Sequence, residues 1–532
     1  MTRRGGIALL ACLISAAAAP AALGAQSSCQ LEVIKKLAPP DAVIDSVTDR
    51  TSPVAHCEVL GHIITQNPGP NRVEWSVMLP KEGFKGRYYF IGEGAAAGFV
   101  PTAQAGDGLA NYYAITTVKL LSEGFAVAGS DTGHKGMMWD FGVNNPAGRL
   151  DHAHRGAHVS AVATQAITRG YYALQEKLYR YHLGCSGGGR MGAMAVLHHP
   201  EDYDGVVVST GFGEGGSLWF PWDIQYVVRH PDAWISPEKL AFMERRVHEK
   251  CAGPDGLIRD PNVCGFDPAT LLCKSESTNQ CLTPAELTMV KRITDRHPTG
   301  PGITSGGFTM AMPTGWSAFL IGNTRPTNTG TTNPWAPAPP PPSYSLGQSI
   351  LRGFYFNRAD YDMIRDLDFT NKADLQKLHD GEPVWSAVSD DISAFKKAGG
   401  KLILWAGIGE NAVPPATEIE YFNIQKKKDP SADDFVRLYL APDIMHCAGG
   451  NGPQDVADRL LEKVIAWAED GKRPDAIVAS APTPAISPTD TSKTLPAPPS
   501  SRTTLLCPYP QMAVFEGKQG DFPYDADNWA CR

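Results

Sequence analysis

Residues Tyr181-His182-Leu183-Gly184-Cys185-Ser186-Gly187-Gly188-Gly189-Arg190-Met191-Gly192-Ala193-Met194-Ala195 hold a short apolar run, a serine framed by glycines and a stretch of small residues. The central five fit the pattern G-x-S-x-G, and the flanks read as strand before and helix after. Such a turn forces its serine into a strained backbone conformation. Glycines on both sides let strand and helix approach closely while the hydroxyl projects outward. The reading is therefore an α/β sheet with Ser186 as a candidate nucleophile.

Other short apolar runs support that sheet. Arg87-Tyr88-Tyr89-Phe90-Ile91 ends at Gly92, Phe125-Ala126-Val127-Ala128 at Gly129, Val206-Val207-Val208 at Ser209, and Lys401-Leu402-Ile403-Leu404-Trp405 near Gly407. Between them, Asp151 to Tyr172 and Arg190 to His198 carry helical spacing, and alternating strand and helix predicts parallel strands. Reactive groups in such sheets gather at the C-terminal strand ends.

His446 follows the strand-like run Phe435-Val436-Arg437-Leu438-Tyr439-Leu440 and precedes Cys447. Cys185-Ser186 and His446-Cys447 thus place a nucleophile and a base each beside a cysteine. A bond between those cysteines would hold their Cα atoms about 4.4 to 6.8 Å apart and bring serine and histidine together. The order serine, acid, histidine suits a hydrolase triad, with the acid at a strand end between the two. Glu410, in Gly407-Ile408-Gly409-Glu410-Asn411, is the first choice, with Asp391 and Asp443 as fallbacks. Its carboxylate would hold the imidazole tautomer and stabilise the imidazolium. The oxyanion donors would be the N–H of Gly187 and one from Gly94 or Ala95, in the glycine-rich loop Gly92 to Gly98.

The N-terminus bears on whether the cysteines bond. Arg3 and Arg4 precede the apolar stretch Ile7 to Ile14 and the segment Ala22-Leu23-Gly24-Ala25, which reads as a signal peptide over residues 1–25. Removing Cys12 with it leaves ten of eleven cysteines, an even count suited to an oxidising compartment. Short loops suggest Cys29–Cys57, Cys251–Cys264, Cys273–Cys281 and Cys507–Cys531, leaving Cys185 with Cys447; sequence alone does not fix this connectivity. Close C-x-x-C pairs are absent, which argues against zinc.

The 532 residues, 42% of them apolar, suffice for one large core plus an insertion. A net charge of -8 argues against nucleic acid as a partner, and no segment after the N-terminus is long and apolar enough to span a bilayer. Oligomeric state is not legible. Proline clusters at Pro334 to Pro342 and Pro482 to Pro499 read as surface loops or spacers.

Together these motifs resemble the tannase and feruloyl esterase family, which includes mono(2-hydroxyethyl) terephthalate hydrolases. The resemblance rests on Gly184 to Arg190, His199-Pro200-Glu201-Asp202-Tyr203-Asp204-Gly205, Gly315-Trp316-Ser317, Lys401-Leu402-Ile403-Leu404, His446-Cys447 and Cys507-Pro508-Tyr509-Pro510. It implies an α/β-hydrolase core over residues 26–212 and 396–532 with a lid inserted at 213–395, a disulfide beneath the catalytic pair, and esters of aromatic acids as substrates. Phe308, Trp316, Phe319 and Trp335 in the insertion are candidates for contact with an aromatic acyl group.

Two departures stand out. Glu410 occupies the place where the family has aspartate. The segment Cys251 to Asp260 is shorter than the family's calcium-binding loop; only Asp255 matches it, and too few carboxylates remain for calcium, so no cofactor is expected. The triad alone leaves a serine peptidase, an acyltransferase or a non-catalytic binding protein on the same scaffold as alternatives.

Overall fold

The computed structural model describes residues 26–104, 116–211, 218–328, 333–389, 391–480, 502–518 and 520–532. The signal-peptide segment 1–25, the start of the insertion at 213 and the proline cluster 482–499 lie outside them.

A nine-stranded sheet organises the chain. Its strands are β1 (Ala42–Arg50), β2 (His56–Thr65), β3 (Asn71–Pro80), β4 (Arg87–Gly92), β5 (Phe125–Ser130), β6 (Tyr179–Cys185), β7 (Gly205–Ser209), β8 (Lys401–Gly407) and β9 (Val436–Ala441). They lie in the order β1-β2-β3-β5-β4-β6-β7-β8-β9. The first three strands and the β3–β5 contact are antiparallel, and every pair from β5 to β9 is parallel.

The parallel strands read as unbroken apolar runs because both faces are covered. Tyr88, Phe90, Val206, Val208, Leu402 and Leu404 enter one core. Their neighbours Tyr89, Ile91, Val207, Ile403 and Trp405 enter the other, following the two-residue strand period. Four helices matter for the site: α1 (Gly156–Tyr171), α2 (Gly187–His198), α3 (Pro237–Cys251) and α4 (Val456–Asp470). Residues of α1 and α2 pack into the first core. On the opposite side, α4 buries Val456, Leu460, Leu461, Val464 and Trp467, one stripe at helical spacing.

Among the described residues, the chain between β7 and β8 adds no strand to this sheet. It has a core of its own, in which Leu240, Met243, Val247, Met289, Trp316 and Trp385 are buried together. Ala96, Trp139, Ile408 and Val413, from loops of the sheet domain, join that cluster and seat the insertion over the strand ends.

Four disulfides follow the short-loop pairing, and the remaining two cysteines, Cys185 and Cys447, are joined with Cα atoms 5.9 Å apart. In the chain-entropy view this long cross-link removes roughly 5 to 6 kcal/mol of freedom from the unfolded chain, an upper figure. Among the described residues no helix is long and apolar enough to cross a membrane.

Candidate active site

Ser186 sits between β6 and α2 with φ 58° and ψ −125°, in the left-handed region where a side chain is strained. Its N–H donates to the Ser209 carbonyl at 3.0 Å and to Thr210 Oγ1 at 3.1 Å, both at the end of β7. The flanking glycines are sterically required. A Cβ on Gly184 would stand 2.3 Å from the Gly188 carbonyl carbon, and one on Gly188 would stand 2.2 Å from the Gly92 oxygen.

Glu410 lies in the turn after β8, 1% exposed. Its carboxylate accepts from His446 Nδ1 at 3.0 and 3.1 Å, and Oε2 faces the amides of Ala412 and Val413 at 3.3 Å. Those contacts fix the carboxylate from three directions. Asn411 was not singled out from the sequence, yet it links the loops: Oδ1 accepts the His446 N–H at 3.1 Å, and Nδ2 donates to the Gly315 carbonyl of the insertion at 3.0 Å. The two fallback acids are engaged elsewhere. Asp391 is exposed and caps Ser393 N at 2.9 Å, whereas Asp443 is buried and pairs with His248 of α3 at 2.9 Å.

Ser186, Gly187, His446 and Cys447 line one cavity of about 470 Å³, together with Gly94 and Ala95. Both Gly94 and Ala95 belong to the loop after β4. A Cβ on Gly187 would lie 2.0 Å from the Ala95 oxygen, so this loop presses directly against the start of α2. The remaining walls are mostly apolar: Met138, Trp139, Trp219, Phe220, Phe319, Leu346, Trp385 and Met445. Of the four candidate aromatics of the insertion only Phe319 reaches the cavity, its ring centroid 5.9 Å from that of His446. Phe308, Trp316 and Trp335 are instead buried in the insertion's own core, at 3%, 0% and 2% exposure. Trp139, Trp219, Phe220 and Trp385 supply the flat walls, brought in from separate segments that no local motif connects.

The segment Cys251 to Asp260 engages its two aspartates with donors of the chain. Asp255 receives a bidentate ion pair from Arg259, Nη1 to Oδ1 at 2.8 Å and Nη2 to Oδ2 at 2.6 Å. Arg502 donates to its backbone oxygen at 3.3 Å, and Asp260 caps the amides of Asn262 and Cys264 at 2.8 and 3.0 Å. Calcium requires six to eight oxygen ligands. Here both carboxylates face guanidinium and amide donors of the chain itself.

A parallel sheet, a serine on a strained strand-to-helix turn and a carboxylate-bound histidine on a later loop define an α/β-hydrolase. Comparison with known proteins narrows the class. The profile described as tannase and feruloyl esterase matches residues 57–531. The chain is 28% identical to a mono(2-hydroxyethyl) terephthalate hydrolase of Piscinibacter sakaiensis, covering 90% of this chain and 84% of that one. It is 27% identical to an uncharacterised esterase of Xanthomonas campestris, covering 93% and 86%. The crystal structure of feruloyl esterase B from Aspergillus oryzae superposes with a TM-score of 0.75 at 21% identity, covering 94% of this chain and 98% of that one. The chain belongs to the tannase and feruloyl esterase family and is a carboxylic ester hydrolase.

Proposed function

We propose that the chain hydrolyses esters of aromatic carboxylic acids through Ser186, His446 and Glu410. The observation that carries this reading is the Glu410 carboxylate on His446 Nδ1, with the imidazole and Ser186 on the wall of one aromatic-lined cavity. Ser186 Oγ attacks the ester carbonyl as His446 removes its proton, and Glu410 stabilises the imidazolium. The tetrahedral oxyanion takes the N–H of Gly187 and that of Gly94 or Ala95, a type of contact worth about 3 to 4 kcal/mol per donor in comparable enzymes. His446 then protonates the leaving alcohol, and water resolves the acyl-enzyme by the reverse sequence.

The aromatic walls favour a flat acyl group over an aliphatic one. The insertion acts as a lid supplying most of those walls, the protein works without calcium, and it matures in an exported, oxidising compartment where its five disulfides form. A serine-directed phosphonate tests the core of the proposal, with mass spectrometry reading the adduct. Labelling of the wild type and not of Ser186→Ala is the expected result, and equal labelling of both would overturn it. Gallate, ferulate, terephthalate monoester and alkyl esters assayed side by side then rank the acyl group, with amides as the control for peptidase activity.

A further inference from the structure

The far end of the serine-bearing helix carries a second cluster of chemistry-bearing side chains. His158 of α1, His199 just past the end of α2, and Asp202 three residues on each offer a ligand atom, and all three atoms lie within 4.8 Å of one another. His158 Nδ1 stands 2.9 Å from Asp202 Oδ2, and the His158 and His199 rings stack with centroids 3.7 Å apart. His199 Nε2 meets His154 Nδ1 at 2.9 Å, which leaves its other ring nitrogen for a further partner. Asp202 is 7% exposed, and among the described residues its ion-pair partner is His158 alone, while the neighbouring Arg180 is committed to Asp204.

We propose that His158, His199 and Asp202 form a binding site for a divalent first-row transition ion of the zinc class, with His154 as the positioning residue that orients His199. Two imidazoles and a carboxylate suit such an ion, and its bonds of about 2.0 to 2.2 Å require the parallel rings of His158 and His199 to turn out of their stack so that their planes converge on it. A ligating histidine whose other nitrogen is hydrogen-bonded is the usual arrangement, and His154 supplies that bond. The half-buried histidines leave the ion reachable from solvent. The ion would clip the C-terminal end of α2 to α1, anchoring from behind the helix that presents Ser186.

Tag-free, chelator-treated protein with its disulfides intact is titrated with zinc chloride by calorimetry and with cobalt chloride by visible absorption. One equivalent of zinc is expected to bind, with a melting temperature that rises with zinc concentration. His199→Gln and His158→Gln should each weaken binding at least a hundredfold, and His154→Gln roughly tenfold. Wild type that takes up no zinc at 100-fold excess overturns the site, and so does binding that survives in both His199→Gln and His158→Gln. If either variant fails to fold, the cobalt spectrum of the wild type decides: nitrogen and oxygen ligand-field bands are expected, and their absence overturns the proposal. Neither readout depends on ester turnover.

Discussion

Two carboxylate–imidazole pairs lie at the ends of β8 and β9, and they differ in their access to solvent. Glu410 holds His446 Nδ1 at 3.0 Å, and Asp443, three residues before His446, holds His248 Nε2 at 2.9 Å. Both acids are fully buried. The histidines differ. The His446 side chain is 19% exposed and lines the cavity, whereas that of His248 is 0% exposed, with Nδ1 also bonded to the Glu244 carbonyl at 3.0 Å. An imidazole with both nitrogens occupied inside the protein has no site left to exchange a proton with substrate. Asp443 also accepts from Ile258 N at 3.3 Å, so this second pair ties the insertion to the sheet domain. One pair opens onto the cavity and the other is sealed inside the protein.

Breaking each pair should therefore fail differently. Glu410→Gln is expected to lower kcat by about 10⁴ with its melting temperature nearly unchanged, since a neutral amide favours the wrong tautomer while keeping the shape. Asp443→Asn is expected to reduce stability by about 3 to 5 kcal/mol, the usual penalty for removing one partner of a buried pair. The fraction of Asp443→Asn that remains folded should turn over within tenfold of wild type. Denaturant titration and single-substrate kinetics on both variants check the contrast. Loss of turnover in Asp443→Asn with near-normal turnover in Glu410→Gln would exchange the two roles.

This contrast also marks how far the sequence could be read. The elbow and the parallel strands were legible because their signals are local: wholly buried strands read as continuous apolar runs, and the close approaches at Gly184 and Gly188 admit only glycine. β1 was not foreseen, since Asp45 and Asp49 interrupt its apolar residues and its outer face is largely exposed. Glu410 and His446 could be chosen from position after a strand. That Asp443 is taken by His248 could not, because the two stand far apart in the chain and only the packing of α3 brings them together. The cavity walls escaped for the same reason. An aromatic of the insertion reads as packing or as ligand contact in sequence; Trp316 and Trp335 serve the insertion's own core, and Trp139, Trp219 and Trp385 line the cavity instead.

A second test uses pH. Burial alone would pull His248 down, but the hydrogen bond and charge of Asp443, with smaller help from Glu244, outweigh it and leave the imidazole above its ordinary value. A group raised on folding stabilises the native state fully below its unfolded pKa, near 6.5 for histidine, and loses that contribution as pH climbs through the folded value. The free energy of unfolding of wild type minus that of His248→Gln should thus be greatest near pH 5.5 to 6.5 and shrink toward pH 9. A difference that stays flat across that range would mean the pair is not ionic.

The smallest expected effect concerns the loop that reaches Asp443 through Ile258. Arg259 stacks on Trp529 with its guanidinium 3.7 Å from the ring centroid while gripping Asp255 at two points, so the positive charge beside this carboxylate is covalently part of the chain. A tethered cation cannot be removed by a chelator. In protein already stripped of transition metal, added calcium should therefore leave the melting temperature within about 1 °C, because only a ligand that binds the native state and dissociates contributes a concentration-dependent term to stability. Arg259→Met should lower it, since Asp255, itself 1% exposed, would lose its ion-pair partner. Partial recovery in the double variant Arg259→Met, Asp255→Asn would assign that loss to the stranded carboxylate. A calcium effect larger than that of Arg259→Met would instead assign a metal to the loop and make the closed pair depend on an ion after all.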